Sequence, residues 1–209
     1  MIVQMGLALA PFIVLMMRLI HILPLIRTDP DSKPLLDVFP IEKRGASLLV
    51  LLGSGGHTGE MLLMLSKVDL SQYARTWVAS SGDETSLEKA KNFELGLSKR
   101  KDALQGAQYM SLKRARRVGE SLKLSVVSTL LSFVDTAKQL VVMKKPDVLL
   151  LNGPGTCVPL AYILCALKLV GVCHTRIIYV ESSARVSLLS VLGRLVMPIR
   201  SEEHTSEPH

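Results

Sequence analysis

Aromatic residues are scarce: the 209-residue chain holds four Phe, four Tyr and one Trp. So few rings argue against base stacking on single-stranded nucleic acid, and no nucleic-acid partner is expected. Cysteine is equally sparse. Cys157, Cys165 and Cys173 are odd in number and sit in apolar surroundings, which argues against a disulfide framework and for buried, reduced thiols. No CxxC or Cys/His ligand spacing occurs, so a structural zinc is not expected. The G-K-[ST] of a P-loop is missing too. No resident metal and no cofactor are expected.

What is present divides into an apolar N-terminus and a basic body. Hydrophobic residues make up 48% of the chain, mean hydropathy is +0.34 and net charge is +7. That composition excludes disorder and suits one domain with a membrane segment. The positive balance by itself calls for an anionic partner: phosphate, nucleic acid or an acidic membrane face. Ile2 to Met17 is apolar apart from Gln4, and after Arg18 the apolar run resumes to Ile26. A bilayer span needs about 20 mostly apolar residues, so residues 2–26 read as a transmembrane anchor with Arg18 snorkelling. No Lys or Arg precedes this stretch, and its A-x-A (Ala8 to Ala10) lies inside it, which favours an uncleaved anchor over a signal peptide. Arg18, Arg27, Lys33, Lys43 and Arg44 all follow it. By the positive-inside rule the body faces the cytosol.

Residues 27–45, with their prolines and mixed charges, read as a linker. Beyond it, β-rich runs at 47–52, 76–80, 107–112, 147–151 and 176–180 alternate with helical patterns at 60–67, 84–91, 122–144, 158–170 and 188–196. Such alternation predicts an α/β fold, a Rossmann-like doubly wound parallel sheet, over residues 46–200. The polar end "SEEHTSEPH", residues 201–209, breaks the composition and reads as a non-native or truncated tail outside the fold.

Three motifs end predicted strands. "GSGGHTGE" follows the first strand: Gly53, Ser54, Gly55, Gly56, Thr58 and Gly59 form a small-residue turn before a helix, with His57 within it. Glycines allow close backbone approach, and a helix start offers free N–H groups to an anion. His57 serves chemistry there or merely caps the helix. The dinucleotide fingerprint is incomplete, since Thr58 stands where its last glycine belongs, although Asp83 lies near the second strand's end. "NGPGTCVP" follows the fourth strand, and Asn152, Gly153, Pro154, Gly155 and Thr156 would line the same crevice at the carboxyl rim of the sheet. "YVESSAR" sets Glu181 at a third strand end, as a base, a sugar ligand or the partner of Arg185. The basic "LKRARR", Leu112 to Arg117, suits anionic headgroups or is a solvated face.

An anchor, a Pro-containing linker and these three motifs, in this order, resemble the membrane-anchored subunit of the two-subunit UDP-N-acetylglucosamine transferase of asparagine-linked glycosylation. The resemblance runs from residue 1 to about Pro198. That subunit is similar to the N-terminal, acceptor-binding lobe of GT-B enzymes that act on lipid-linked substrates. The resemblance implies a subunit inactive alone, with one lobe of the two such an enzyme needs. It implies a soluble partner that binds UDP-GlcNAc, a GlcNAc-diphospho-dolichol acceptor and a place on the cytosolic face of the endoplasmic reticulum membrane. It further implies that the 53–59 loop wraps the acceptor diphosphate, with His57 or Glu181 as general base, His57 preferred because imidazole titrates near neutral pH. No DxD-like metal motif is present, in keeping with metal-independent chemistry. Members of this family continue beyond the position of Pro198 with further strand and helix, and their extreme C-terminus docks onto the partner; this chain has "SEEHTSEPH" instead. Two rival functions remain at this point: a membrane-tethered dinucleotide oxidoreductase using Asp83, and a catalytically silent membrane scaffold.

Overall fold

The computed structural model describes residues 13–20, 45–97, 106–115, 122–152, 156–181 and 202–205. The expected helix at 188–196, the linker and most of the predicted anchor lie outside these residues. Residues 13–20, inside the predicted anchor, are helical.

Six strands form one all-parallel sheet: β1 (Ser47–Leu51), β2 (Ala74–Ser80), β3 (Gln108–Leu112), β4 (Val148–Asn152), β5 (Arg176–Glu181) and β6 (Glu202–Thr205). Their order across the sheet is β3-β2-β1-β4-β5-β6, the doubly wound order of a Rossmann fold. The helices α1 (Gly56–Leu65), α2 (Glu84–Leu97), α3 (Leu122–Val142) and α4 (Cys157–Leu169) alternate with the strands. The expected α/β architecture is therefore observed.

The apolar runs explain the layering. Parallel strands are covered on both faces, so they read as continuous apolar stretches rather than alternating ones. In β1 and β4, Leu48, Val50, Val148 and Leu150 point to one side, where Met61 and Leu65 of α1 and Ala90 and Leu97 of α2 cover them. Leu49, Leu51, Leu149 and Leu151 point to the other, against Leu140 of α3 and Leu160, Ala161 and Leu164 of α4. Two apolar cores thus sandwich the sheet, each closed by one pair of helices.

One charged cluster ties α2 to β2. Arg75, on β2, donates from Nε to Glu94 Oε1 at 2.7 Å and from the guanidinium to Glu94 Oε2 at 3.0 Å. Trp77 Nε1 donates to the same Oε1 at 2.7 Å. Both charged side chains are over nine-tenths buried. Such a pair holds only because its remaining donors are satisfied; here Arg75 also donates to the carbonyls of Leu70 and Tyr73.

Two expectations need correcting. The first helix starts at Gly56, not at 60, so His57 and Thr58 sit in its first turn. The glycines that read as loop are its opening residues, because N–H groups in a first turn need no intrahelical acceptor and impose no propensity test. Secondly, the polar tail is not outside the fold. Glu202–Thr205 pairs in parallel with β5, with Ile178 opposite Glu202 and Glu181 opposite Thr205. An edge strand needs only backbone pairing on one side and tolerates charge, so its lack of apolar residues hid it.

Candidate functional site

The strand order reverses between β1 and β4, the position where open α/β sheets bind ligands. The two glycine-rich loops leave the carboxyl ends of those two strands. The first loop meets the end of β4: Asn152 Nδ2 donates to the His57 carbonyl at 3.3 Å. A Cβ added to Gly53 would lie 2.5 Å from His57 Cβ and 2.9 Å from the Asn152 carbonyl oxygen. Only glycine lets the loops come this close. Gly55 adopts φ +65°, the left-handed region that a side chain disfavours.

Two helices follow. α1 starts after Gly55 and α4 after Thr156; neither of these residues makes a side-chain cap hydrogen bond among the described residues, and neither helix has an acidic residue in its first turn. Unpaired N–H groups and the positive dipole end make each helix start receptive to an anion. Ser54, Gly55, Gly56 and Gly59 are exposed around the α1 start, and Gly53 is buried behind them.

The predicted site residues fall into three groups. Ser54, Gly55, Gly56, Gly59 and His57 form the open part of the α1 loop. The His57 side chain is 42% exposed and its Nδ1 lies 3.8 Å from Glu60 Oε2, one helical turn on. Nδ1 itself is inaccessible and without a hydrogen bond among the described residues, so the exposed edge of the ring is the Nε2 side.

Thr58, Asn152 and Thr156, in contrast, are fully buried. The Thr58 hydroxyl turns back onto the Gly53 carbonyl, with Ser86 Oγ 2.9 Å away. Thr156 Oγ1 shares a 2.7 Å hydrogen bond with Ser80 Oγ. The Thr58 hydroxyl thus faces the preceding strand end and not solvent, so a role for Thr58 at a ligand falls to its backbone. These residues brace the loops. Asn152 Oδ1 is buried with no hydrogen bond among the described residues, a polar atom left over where the two loops join.

Gly153, Pro154 and Gly155 lie outside the described residues. Glu181 ends β5 on the same rim, two strands from β1 in the sheet order, and its side chain lies outside them as well. Sequence reasoning missed Glu60, Ser80 and Ser86. Of these, Glu60 carries a readable signal, its i,i+3 spacing from His57 on a helix.

Asp83, which a dinucleotide site would need, is occupied otherwise. Its Oδ1 accepts the Ser86 N–H at 3.2 Å and its Oδ2 the Ser86 hydroxyl at 2.8 Å. That makes it the N-cap of α2. Among the described residues no three His, Cys, Asp or Glu side chains gather to hold a metal ion. Burial pushes the Cys157 thiol up to about 12 and raises Cys165 as well, so neither offers a thiolate nucleophile near neutral pH. A concavity of about 890 Å³ lies at the other end of the sheet, against Ser47, Arg75, Gln108 and Lys138. It is remote from the glycine loops.

Fold and site together define a class: a Rossmann-like lobe with a glycine-rich helix start, furnished with one imidazole, at its topological switch point. Comparison with known proteins narrows it. The family model described as "Oligosaccharide biosynthesis protein Alg14 like" matches residues 48–205, a span that includes all six strands but for the first residue of β1. The chain belongs to the Alg14 family.

Among its relatives is the UDP-N-acetylglucosamine transferase subunit ALG14 of Debaryomyces hansenii. The two are 47% identical over 202 residues, covering 94% of this chain and 86% of that protein. The human protein of the same name is 37% identical over 167 residues, covering 77% of this chain and 74% of that one. Among solved structures, the crystal structure of MurG from Acinetobacter baumannii aligns with a TM-score of 0.44 at 17% identity, over 78% of this chain and 42% of that one.

Proposed function

We propose that this chain is the membrane-anchored, acceptor-binding subunit of a UDP-GlcNAc transferase of asparagine-linked glycosylation. In this reading it holds GlcNAc-diphospho-dolichol at the cytosolic face of the endoplasmic reticulum and recruits a soluble subunit that carries the donor. The glycine-rich α1 start packed against the end of β4 at Gly53 and Asn152, in a chain of this family, is the observation that supports it most. A diphosphate carries charge for that helix start, and the acceptor's lipid tail accounts for the apolar N-terminus.

His57 is the preferred base. Its accessible Nε2 edge takes the proton of the acceptor hydroxyl as that oxygen displaces UDP from the anomeric carbon. Glu60 Oε2 lies 3.8 Å from Nδ1 on the other side of the ring, and Glu181 is the second candidate. The GT-B description follows from the need for a second, donor-binding lobe, which the partner supplies. The oxidoreductase alternative loses its support, because Asp83 is committed to capping α2.

The test is reconstitution of the chain with the donor-binding subunit, UDP-GlcNAc and a GlcNAc-diphospho-lipid. Product should form only when both chains are present, and His57→Ala should lower it by about 100-fold or more while the two chains still co-purify. Product from this chain alone contradicts the division of labour. Full product with His57→Ala and Glu181→Ala combined leaves only a scaffold.

A further inference from the structure

Helix α3 presents an apolar face that no described residue covers. Val126, Val127, Leu130, Leu131, Val134, Val141 and Val142 are each between 47% and 90% exposed. They recur at helical spacing and form one stripe along the outer side of the helix. Ser125–Val142 is also, by length and composition, able to cross a bilayer.

It is placed so that it cannot cross. Its inner side is fastened along β3 and the residues after it. Ser132 Oγ donates to the Lys113 carbonyl at 2.7 Å, Ser128 and Thr129 donate to the Ala115 carbonyl at 2.9 and 3.1 Å, and Gln139 donates to the Ser111 carbonyl at 3.2 Å. Asp135 accepts the Lys113 N–H at 3.0 Å, and Leu140 is in the core. A helix fixed to a sheet along its length, and apolar on its outward side, can meet a bilayer only lying flat.

Charge and continuity select the same occupant. α3 and the turn after it carry Lys123, Lys138, Lys144 and Lys145 against the single Asp135, and α4 carries Lys168 and no acid. Lys113 and Arg114 lead into this layer. The opposite layer carries Glu60, Glu84, Glu88 and Glu94 against Lys89 and Lys91. Positive charge bordering an apolar stripe matches an anionic headgroup surface. The apolar segment 13–20 joins this same layer, since Arg18 donates to the Leu169 carbonyl at the end of α4 at 3.0 Å.

We infer that the α3 face, continuous with the N-terminal segment, is a second membrane contact that lays the lobe on the surface of an anionic bilayer. It rests on the proposed function only in taking the N-terminus to be bilayer-bound. An apolar face of this kind sinks about 5–10 Å into the headgroup and acyl boundary. The anchor then acts as a tether, and α3 sets the tilt at which the glycine loops stand over the membrane.

The test uses the full chain with Cys165 replaced by Ser, reconstituted into phosphatidylcholine vesicles with and without phosphatidylinositol. Leu130→Cys on α3 and, separately, Leu95→Cys on α2 each carry an environment-sensitive fluorophore; both sites are exposed. The inference expects a blue shift and loss of emission at position 130 with nitroxide-bearing lipid, strengthened by phosphatidylinositol, and protection there from aqueous iodide. Position 95 should behave oppositely. Iodide quenching at 130 as strong as at 95 overturns it. Shielding of 130 from both quenchers also overturns it, because a protein then covers the stripe. If the chain does not float with the vesicles at all, the anchor reading falls with it; if it floats and 130 stays wet, the surface contact alone is wrong.

Discussion

Replacing Gly53 with Ala tests the junction on which the site depends. The added methyl carbon would lie 2.5 Å from His57 Cβ and 2.9 Å from the Asn152 carbonyl oxygen. Carbon atoms in ordinary contact sit about 3.5–4.0 Å apart, so the neighbours must retreat by roughly 1 Å. Neither is a flexible side-chain tip; one is fixed to the α1 backbone and the other is backbone itself, so the two loops must part. Overpacking of this kind costs about 1–3 kcal/mol, which lowers the melting temperature of a lobe this size by roughly 2–12 °C. Parting the loops also breaks the Asn152–His57 hydrogen bond and displaces the imidazole. A displacement that loses 1.4 kcal/mol of transition-state stabilisation reduces turnover about tenfold. Gly56→Ala is the control for stability, because nothing lies within 4 Å of its added carbon. Thermal melts of the detergent-solubilised chain, with turnover in the reconstituted pair, read both effects. A Gly53→Ala chain as stable and as active as the parent would show that the two loops do not meet as described.

His57→Ala should lower product formation about 100- to 10,000-fold, the span of general-base contributions, and Glu60→Gln by less, without loss of partner binding in a pull-down. Glu94→Gln removes the charge facing buried Arg75 and should cost about 3–5 kcal/mol, read as a lower urea midpoint. The fluorescence of Trp77, the chain's single Trp, whose Nε1 donates to Glu94 Oε1, will report the disturbed cluster in the same experiment. The Cys157 thiol is lifted by burial from 9.0 to about 12, so the folded chain keeps a proton that the unfolded chain releases. Stability from this group is complete below pH 9 and falls by about 1.4 kcal/mol per pH unit between there and pH 12. Cys157→Ala should flatten that limb, leaving the part due to Cys165, Tyr73 and Tyr109, which burial also raises.

Much of the framework was readable from residue order. Leu48 to Leu52 and Val148 to Leu151 are apolar without alternation, and only strands buried on both faces explain this at such short length. Each run stops in glycines, which placed both loops at one rim before any coordinates. The motifs were legible for the same reason: a glycine that must be glycine leaves a trace in sequence. What escaped were roles set by direction. Thr58 and Thr156 are short polar residues beside glycine and could face a ligand or the core; burial turned them inward. Arg75 and Glu94 are 19 positions apart, read singly as surface charges, and pair only because α2 crosses back over β2.

The sequence by itself settled the alternation of strands and helices, the two glycine turns and the apolar N-terminus, because periodicity, chain stiffness and hydropathy are local properties. Tertiary structure decided which of the polar side chains near the turns brace the loops, that His57 offers its Nε2 edge, and that "EEHT" can complete a sheet. It also decided that the apolar residues of α3 face outward. All of these depend on what a distant part of the chain brings alongside, and no local pattern encodes that.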